Sequence, residues 1–499
     1  MPRVAQYQAI RFEGFPDGLN LHADEQNLEV TELAQAKNCT IGDRGRLSMV
    51  QGIKRWTVSS GTPGPRKLFG WNNPTDSSEY LVWSSAGPGG TGSLVWATIP
   101  DGVVQGTYNL GMSSFMAYEN VGSSFAPADD VLFYSHQNLS SPLSFDGSTW
   151  TAVAGIPSAR VLVHHHNRLF AISTNDNQSR IYFSNLLDPT VFDVDDWIDV
   201  DPFDGERIVT AVKYGDDLMI FKETSVWKLS GRTPSSFSLY RIDSKRGIQS
   251  PECVVEARGR LFLWDTTSGI WAFDGASFEL VSDRINPFLV EQASQDRDVQ
   301  VQFGLIARDD QVWCLGEFWN EDFTTLERVS FAYFLDTNAW SEMTQGFREG
   351  FYYLGQMYLG YLNFGDVFIP DRTTNEILNN EQVMSFETPW ISQLGTGANV
   401  RVRRVELSLR AEQGKPFTIS MFRDFIPTAE QTRIVTIDAE EVGASTGDTV
   451  VLRVTLDGWG GRCKAFQFAV STQQFPFEVL EFDVLYTGEV DLRGEQGHV

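Results

Sequence analysis

The chain has 499 residues, of which 42% are hydrophobic and 13% aromatic, so it carries enough apolar surface to bury a sizeable core, and a disordered protein is excluded. Its 39 basic and 65 acidic residues leave a formal charge of −26, which excludes a protein that grips nucleic acid by neutralising phosphates. The same charge keeps a chain soluble, suits contact with basic partners, and fits the wall of a passage along which DNA slides without sticking.

The stretch from Met1 to Gln8 lacks the apolar run of a signal peptide, and nowhere does the sequence approach the ~18 uninterrupted apolar residues of a membrane span. Neither export nor stable membrane association is expected. The segment Val30 to Asn38 reads as a short helix, followed by a hairpin through Gly42-Asp43-Arg44-Gly45-Arg46. Residues 1–65 are set apart as an N-terminal segment.

Residues 66–389 repeat one pattern: a short run rich in Val, Leu, Phe, Tyr and Trp, then Gly, Asp, Asn, Ser or Pro, then another run. Glu79-Tyr80-Leu81-Val82-Trp83 and Asp217-Leu218-Met219-Ile220-Phe221-Lys222 are examples. This predicts many short antiparallel strands joined by tight turns. A recurring hairpin, in which an apolar run ends in Asp and an aromatic follows about four positions later, is legible at Asp146/Trp150, Asp274/Phe278 and Asp336/Trp340. Its first two copies lie 128 residues apart and the last two 62 apart, which suggests a unit of about 60 residues with one degenerate copy between. Units beginning near Arg66, Phe115, Arg160, Arg207, Ser250, Val299 and Phe351 predict a β-propeller of six or seven blades. The glycine-rich stretch from Gly87 to Gly92 reads as a hairpin tip.

From residue 390 to 499 the repeat gives way to period-two alternation. Val405, Leu407 and Leu409 alternate with Arg404, Glu406, Ser408 and Arg410, while Leu480, Phe482, Val484 and Tyr486 share one face. At least five strands here predict a β-sandwich. The expected fold is all-β: a six- or seven-bladed propeller plus a C-terminal sandwich or platform domain.

Few residues invite a chemical reading. His164-His165-His166 follows an apolar strand, whose alternation lets only His164 and His166 converge on a metal, so an ordinary strand entering solvent is the better reading. The acidic run Asp193, Asp195, Asp196, Asp199, Asp201, Asp204 and Glu206 resembles a calcium loop but misses the EF-hand spacing by one residue, and it reads as a solvated loop. Ser144 to Trp150 looks like a sialidase Asp-box with its spacing one short. Cys39, Cys253, Cys314 and Cys463 lie far apart without C-x-x-C pairing and read as free buried thiols. No G-x-S-x-G, H-E-x-x-H or G-x-x-x-x-G-K-[ST] occurs. The sequence therefore names no catalytic residue, no metal ligand and no cofactor site. Arg401, Arg403, Arg404 and Arg410 form a local basic patch in an acidic chain. They are the candidate assembly interface, with an exposed, charge-blunted edge strand as the bland alternative.

The opening Phe15-Pro16-Asp17-Gly18-Leu19-Asn20, then Glu32 to Asn38, then Gly45-Arg46-Leu47-Ser48-Met49-Val50-Gln51-Gly52 resembles the N-terminus of a group of bacteriophage tail proteins. Ile181-Tyr182-Phe183-Ser184-Asn185, Asp204 to Ala211, Leu218 to Gly231, Gly247-Ile248-Gln249-Ser250-Pro251, Gly259 to Leu263 and Gly269-Ile270-Trp271 extend the likeness through about the first 275 residues. The group includes the tail nozzle or hub of short-tailed phages, the tail tubular protein B family. The resemblance implies a propeller on a platform that the N-terminal segment completes, and a homo-hexameric ring below the portal-adaptor (head-tail connector) ring. It further implies transient passage of DNA without specific binding, attached tail fibres or spikes, and residence in the virion tail after assembly in the host cytoplasm. The alternative is a propeller glycan hydrolase or a glycan-binding receptor-recognition protein, which would need carboxylates of perturbed pKa, or exposed aromatics, around a pocket.

Overall fold

A computed structural model describes residues 6–57, 65–86, 92–111, 123–128, 130–294, 303–308, 310–319, 326–344, 347, 349–360, 366–377, 380–392, 399–438, 449–459 and 461–489. Five separate four-stranded antiparallel sheets follow one another along the chain, spanning Pro65–Asn109, Ser123–Ala152, Ala159–Asp199, Ile208–Asp243 and Val254–Leu280. A sixth meander runs from Phe303–Arg308 to Ala339–Met343. A seventh has Glu349–Tyr353, Gln356–Gly360 and Val367–Asp371, and its fourth strand is Gly52–Thr57 from the N-terminal segment. The described residues thus form a propeller of seven blades. The unit starts expected near Phe115 and Val299, and all but the last residue of the Gly87–Gly92 tip, lie outside the described residues.

Inner strands of consecutive blades pack side by side, and the first blade meets the seventh. Phe69 and Phe351 have ring centroids 5.2 Å apart, and Gly70 is required there because a Cβ would lie 2.2 Å from the Tyr353 ring. The second strand of each blade is buried on both faces, which removes the alternation expected of a half-exposed sheet. Leu218, Met219, Ile220 and Phe221 are all buried, as are Leu261, Phe262, Leu263 and Trp264. These strands therefore read as unbroken apolar runs.

The recurrent Asp hairpin forms the outer edge of the second, fifth and sixth blades. Phe145 pairs with Trp150, Phe273 with Phe278, and Tyr333 with Trp340. Asp146 accepts the backbone N–H groups of Ser148 and Thr149 at 2.8 Å, and Asp274 those of Ala276 and Ser277 at 2.8 Å. These bonds draw both carboxyls below the usual range, Asp146 to about 2. The 128-residue interval spans three blades rather than two, which corrects the inferred unit of about 60 residues.

The platform is a two-sheet sandwich. One sheet orders Thr449–Asp457, Asn399–Glu412, Phe477–Glu489, Leu47–Met49 and Cys39–Ile41, with Gln6–Phe12 also paired to Phe477–Glu489. The other contains Gln35–Lys37, Met384–Glu387, Phe466–Thr472, Pro416–Arg423 and Gln431–Thr436, and Gln35–Lys37 joins it to the outer strand of the sixth blade. Val400, Val402, Val405, Leu407, Leu409 and Ala411 point inward and are fully buried, each larger side chain worth about 1.5–3 kcal/mol. Phe468 against Phe482 (5.8 Å) and Phe417 against Phe477 (5.7 Å) close the space between the sheets.

The N-terminal segment enters both sheets of the platform and also the seventh blade. The predicted hairpin forms, with Ile41 opposite Leu47. The predicted helix does not: Glu32–Leu33 and Gln35–Lys37 are short strands. Leu33 and Ala36 are both fully buried at a spacing that mimics a helix. Hydrogen bonding of Gln35–Lys37 to Met384–Glu387 and Ala339–Met343 overrides the local preference. Strand pairing also crosses both sequence-derived divisions: Gly52–Thr57 belongs to the propeller and Met384–Glu387 to the platform.

Candidate assembly interface

The strand Asn399–Glu412 alternates because one face is core and the other is solvent. Arg401, Arg404, Glu406, Ser408 and Arg410 fall on the outer face, and a register shift between Val402 and Arg404 leaves Arg403 as the extra residue of a bulge. The strand is central, paired on one side with Thr449–Asp457 and on the other with Phe477–Glu489. The edge-strand alternative is therefore excluded.

The four arginines do not form a bare basic patch. Arg404 bonds Asp457 at 2.7 Å and lies 3.5 Å from Glu406. Those carboxylates hold its guanidinium above the usual range, hydrogen bonding to Asp457 being the main cause. Arg410 pairs with Glu478 at 3.4 Å, and Arg403 donates from Nε to Thr487 Oγ1 at 3.0 Å. Arg401 is exposed and has no side-chain partner among the described residues. Neighbouring strands extend the lattice: Arg453 reaches Glu406 (2.8 Å) and Asp483 (3.1 Å), and Arg11 reaches Asp483 (3.5 Å). Burial pushes the Asp483 carboxyl up against the opposing pull of Arg11 and Arg453. The face is a mixed-sign ion-pair lattice in which, Glu406 apart, the acidic partners sit on other strands, which is why the arginines stood out in the sequence as a basic cluster.

The acidic run is organised around a cation supplied by the chain. Lys222, fully buried, donates from Nζ to Val200 O (2.9 Å), Asp201 O (3.1 Å) and Asp204 Oδ2 (2.5 Å). Asp199 is held bidentately by Arg180, which stacks 3.5 Å over Trp197. The loop is therefore not simply solvated. On the same blade, Leu186, Leu187, Val191 and Val194 are exposed, and the sequence has Asp193, Asp195 and Asp196 among them.

In the histidine triplet, His165 is buried, and burial together with the neighbouring His166 lowers its pKa to about 4. His166 and Asn167 have positive φ and make the hairpin turn, so His164 and His166 do not share a regular strand face. No group of three or more His, Cys, Asp or Glu side chains placed to hold a metal occurs among the described residues. All four cysteines are free and buried.

Charges from several blades meet at the propeller axis. Lys67 of the first blade lies 3.6 Å from Glu252 ahead of the fifth blade and 3.7 Å from Glu349 of the seventh. Burial disfavours the ammonium, but the two carboxylates more than offset it and raise its pKa. This bridge ties non-adjacent blades together across the centre. A cleft of about 690 Å³ lies between the platform and the last two blades, lined by Trp313, Phe334, Arg372, Arg410 and Glu478 among others. No helix among the described residues is long and apolar enough to cross a membrane.

No protein-family model and no curated protein matches the sequence. Among solved structures, the chain is similar to the computationally designed Ika8 protein, at 10% identity and a TM-score of 0.37 over 64% of this chain and 100% of that one. It is similar in the same degree to the β-propeller domain of the Trilobed protease from Pyrococcus furiosus, at 10% identity and a TM-score of 0.37, covering 64% of this chain and 96% of that one. The extracellular domain of BT4673 from B. thetaiotaomicron aligns at 9% identity and a TM-score of 0.42 over 89% of this chain, which spans 64% of that one.

Proposed function

We propose that the chain is a structural subunit of the tail nozzle or hub of a short-tailed bacteriophage. Six copies form a ring below the portal-adaptor assembly, the genome passes through the ring during ejection, and fibres or spikes attach outside it. The protein resides in the virion tail after assembly in the host cytoplasm, and its role is mechanical rather than catalytic.

The observation that carries this reading is the way the N-terminal segment is used. Two of the stretches whose order resembles the tail family supply a strand to each platform sheet, Gln35–Lys37 and Leu47–Met49, and the second runs straight into Gly52–Thr57, which closes the seventh blade. Such interlocking suits a load-bearing part, because propeller and platform cannot separate without breaking sheet hydrogen bonds. The Lys67 bridge across the propeller axis further supports a passage between copies rather than through one propeller. A lumen lined by a chain of charge −26 repels DNA and leaves it mobile. The exposed Leu186, Leu187, Val191 and Val194 offer an outward surface for attachment.

The test is the mass of the purified full-length chain in solution, alone and mixed with portal and adaptor proteins. A six-fold ring in either setting is expected. A chain that stays monomeric in both overturns the reading in favour of a glycan-active or glycan-binding propeller, for which hydrolysis of host polysaccharide is the next assay.

A further inference from the structure

Among the described residues the first platform sheet ends on two long strands and one short one: Thr449–Asp457 pairs only with Asn399–Glu412, Gln6–Phe12 pairs only with Phe477–Glu489, and the three-residue Cys39–Ile41 ends the branch that Leu47–Met49 adds beside Gln6–Phe12. The two long strands are the open edges relevant to assembly. Unpaired edges of this length are usually blunted by charged side chains, proline or a bulge; Thr449–Asp457 has no proline and no bulge over nine residues, and its only charges are Arg453 and Asp457. Its inward side chains Val450, Leu452, Val454 and Leu456 are only half-buried although they pack on the core, and Val451 is 63% exposed. Among the described residues the sandwich is therefore incompletely covered on this side.

The two edges are also complementary in charge. The outer-face lattice ends on a base at one edge and an acid at the other: Arg11 is 68% exposed and Asp457 is 65% exposed. Arg453 leans inward to Glu406 and Asp483 and leaves the rim to Asp457.

We propose that copies of this chain join edge to edge, with strand Thr449–Asp457 of one copy pairing with strand Gln6–Phe12 of the next, so that the first platform sheet continues from subunit to subunit. This rests on the reading of the chain as a ring subunit and names the interface that builds the ring. Strand sense supports it. Each neighbour in the row Gln6–Phe12, Phe477–Glu489, Asn399–Glu412, Thr449–Asp457 is antiparallel, so repeating the row in the same orientation places the next Gln6–Phe12 antiparallel to Thr449–Asp457. Arg11 stands in the cross-strand row of Asp483, Glu406 and Thr455. A level continuation therefore lays Ala9–Phe12 along Val454–Asp457 and brings Arg11 within one diagonal of Asp457 on the adjoining copy. Head-to-tail contact of two different edges builds a ring when its rotation closes, whereas self-pairing of one edge stops at a dimer.

Two experiments on the full-length chain test this. Asp457→Arg and Arg11→Asp should each raise the concentration needed for assembly by about tenfold, and the double exchange should restore it. Both positions are exposed, and circular dichroism checks that each variant folds. Independently, the Arg11→Cys/Thr455→Cys chain, assembled and then oxidised, should give a ladder of covalent oligomers ending at the ring number. A wild-type ring whose cysteine variant yields no ladder, or whose single charge variants assemble normally, overturns the edge pairing and leaves the ring reading standing. A wild-type chain that is monomeric alone and with its neighbours overturns both.

Discussion

Lys222 shows how a single side chain redefines a motif. A buried ammonium survives only when paired and hydrogen-bonded, and the loop carrying Asp201 and Asp204 wraps it so that two carbonyls and a carboxylate meet that demand. Replacing Lys222 by Ala should destabilise the propeller by about 3 kcal/mol, read from denaturant unfolding. Added calcium should leave the wild-type melting temperature unchanged, and a calcium-dependent rise would contradict the assignment of the loop to Lys222. His136 makes a second prediction. Burial, with the charges of Arg66 and Arg160, lowers its pKa to about 3, and its Nδ1 accepts the Asn138 N–H at 3.1 Å, which requires that nitrogen unprotonated. Between the ordinary histidine value of about 6.5 and that lowered value, the unfolded chain binds a proton that the folded one refuses. Stability should therefore fall as pH drops through this window, by about 1.4 kcal/mol per unit for this group. A His136→Gln variant should show a shallower fall in the same titration.

At the scale of elements, legibility followed the burial pattern of each strand. The platform strand around Val405 and Leu409 was readable because one face meets water, and the propeller strands because burial on both faces makes them uniformly apolar. Phe273, in a hairpin recognised from its Asp-Gly turn, is buried, and Phe273→Ala should cost about 3–5 kcal/mol of stability. Trp271 beside it is only half-buried, under Arg246 at 3.9 Å, so its truncation should cost less. What stayed hidden was pairing over long sequence distance. Nothing local in Gly52–Thr57 says that it will close a blade built from Glu349–Asp371, and nothing near Leu33 and Ala36 announces the partners that make them strands. The closing seam can be tested directly. Gly70→Val forces a side chain into the Tyr353 ring at the junction of first and seventh blades, and it should lower stability by about 1–3 kcal/mol. A neutral result would mean that the seam is looser than the packing indicates.

At the scale of the molecule, the arginines at 401, 403, 404 and 410 illustrate what a sequence conceals about a surface. They were visible as a basic cluster, but Asp457, Glu478 and Thr487, which meet three of them, lie more than fifty residues away. The face they form is a balanced lattice, and its open ends lie on the flanking strands. The propeller is bridged at its axis, the platform is interlocked with it, and one platform sheet offers complementary edges. These features are the ones a ring-forming subunit of the proposed kind would need. The most direct measurement is the mass of the full-length assembly in solution, by native mass spectrometry, with and without portal and adaptor. Six copies are expected. A chain that remains single under both conditions would contradict it.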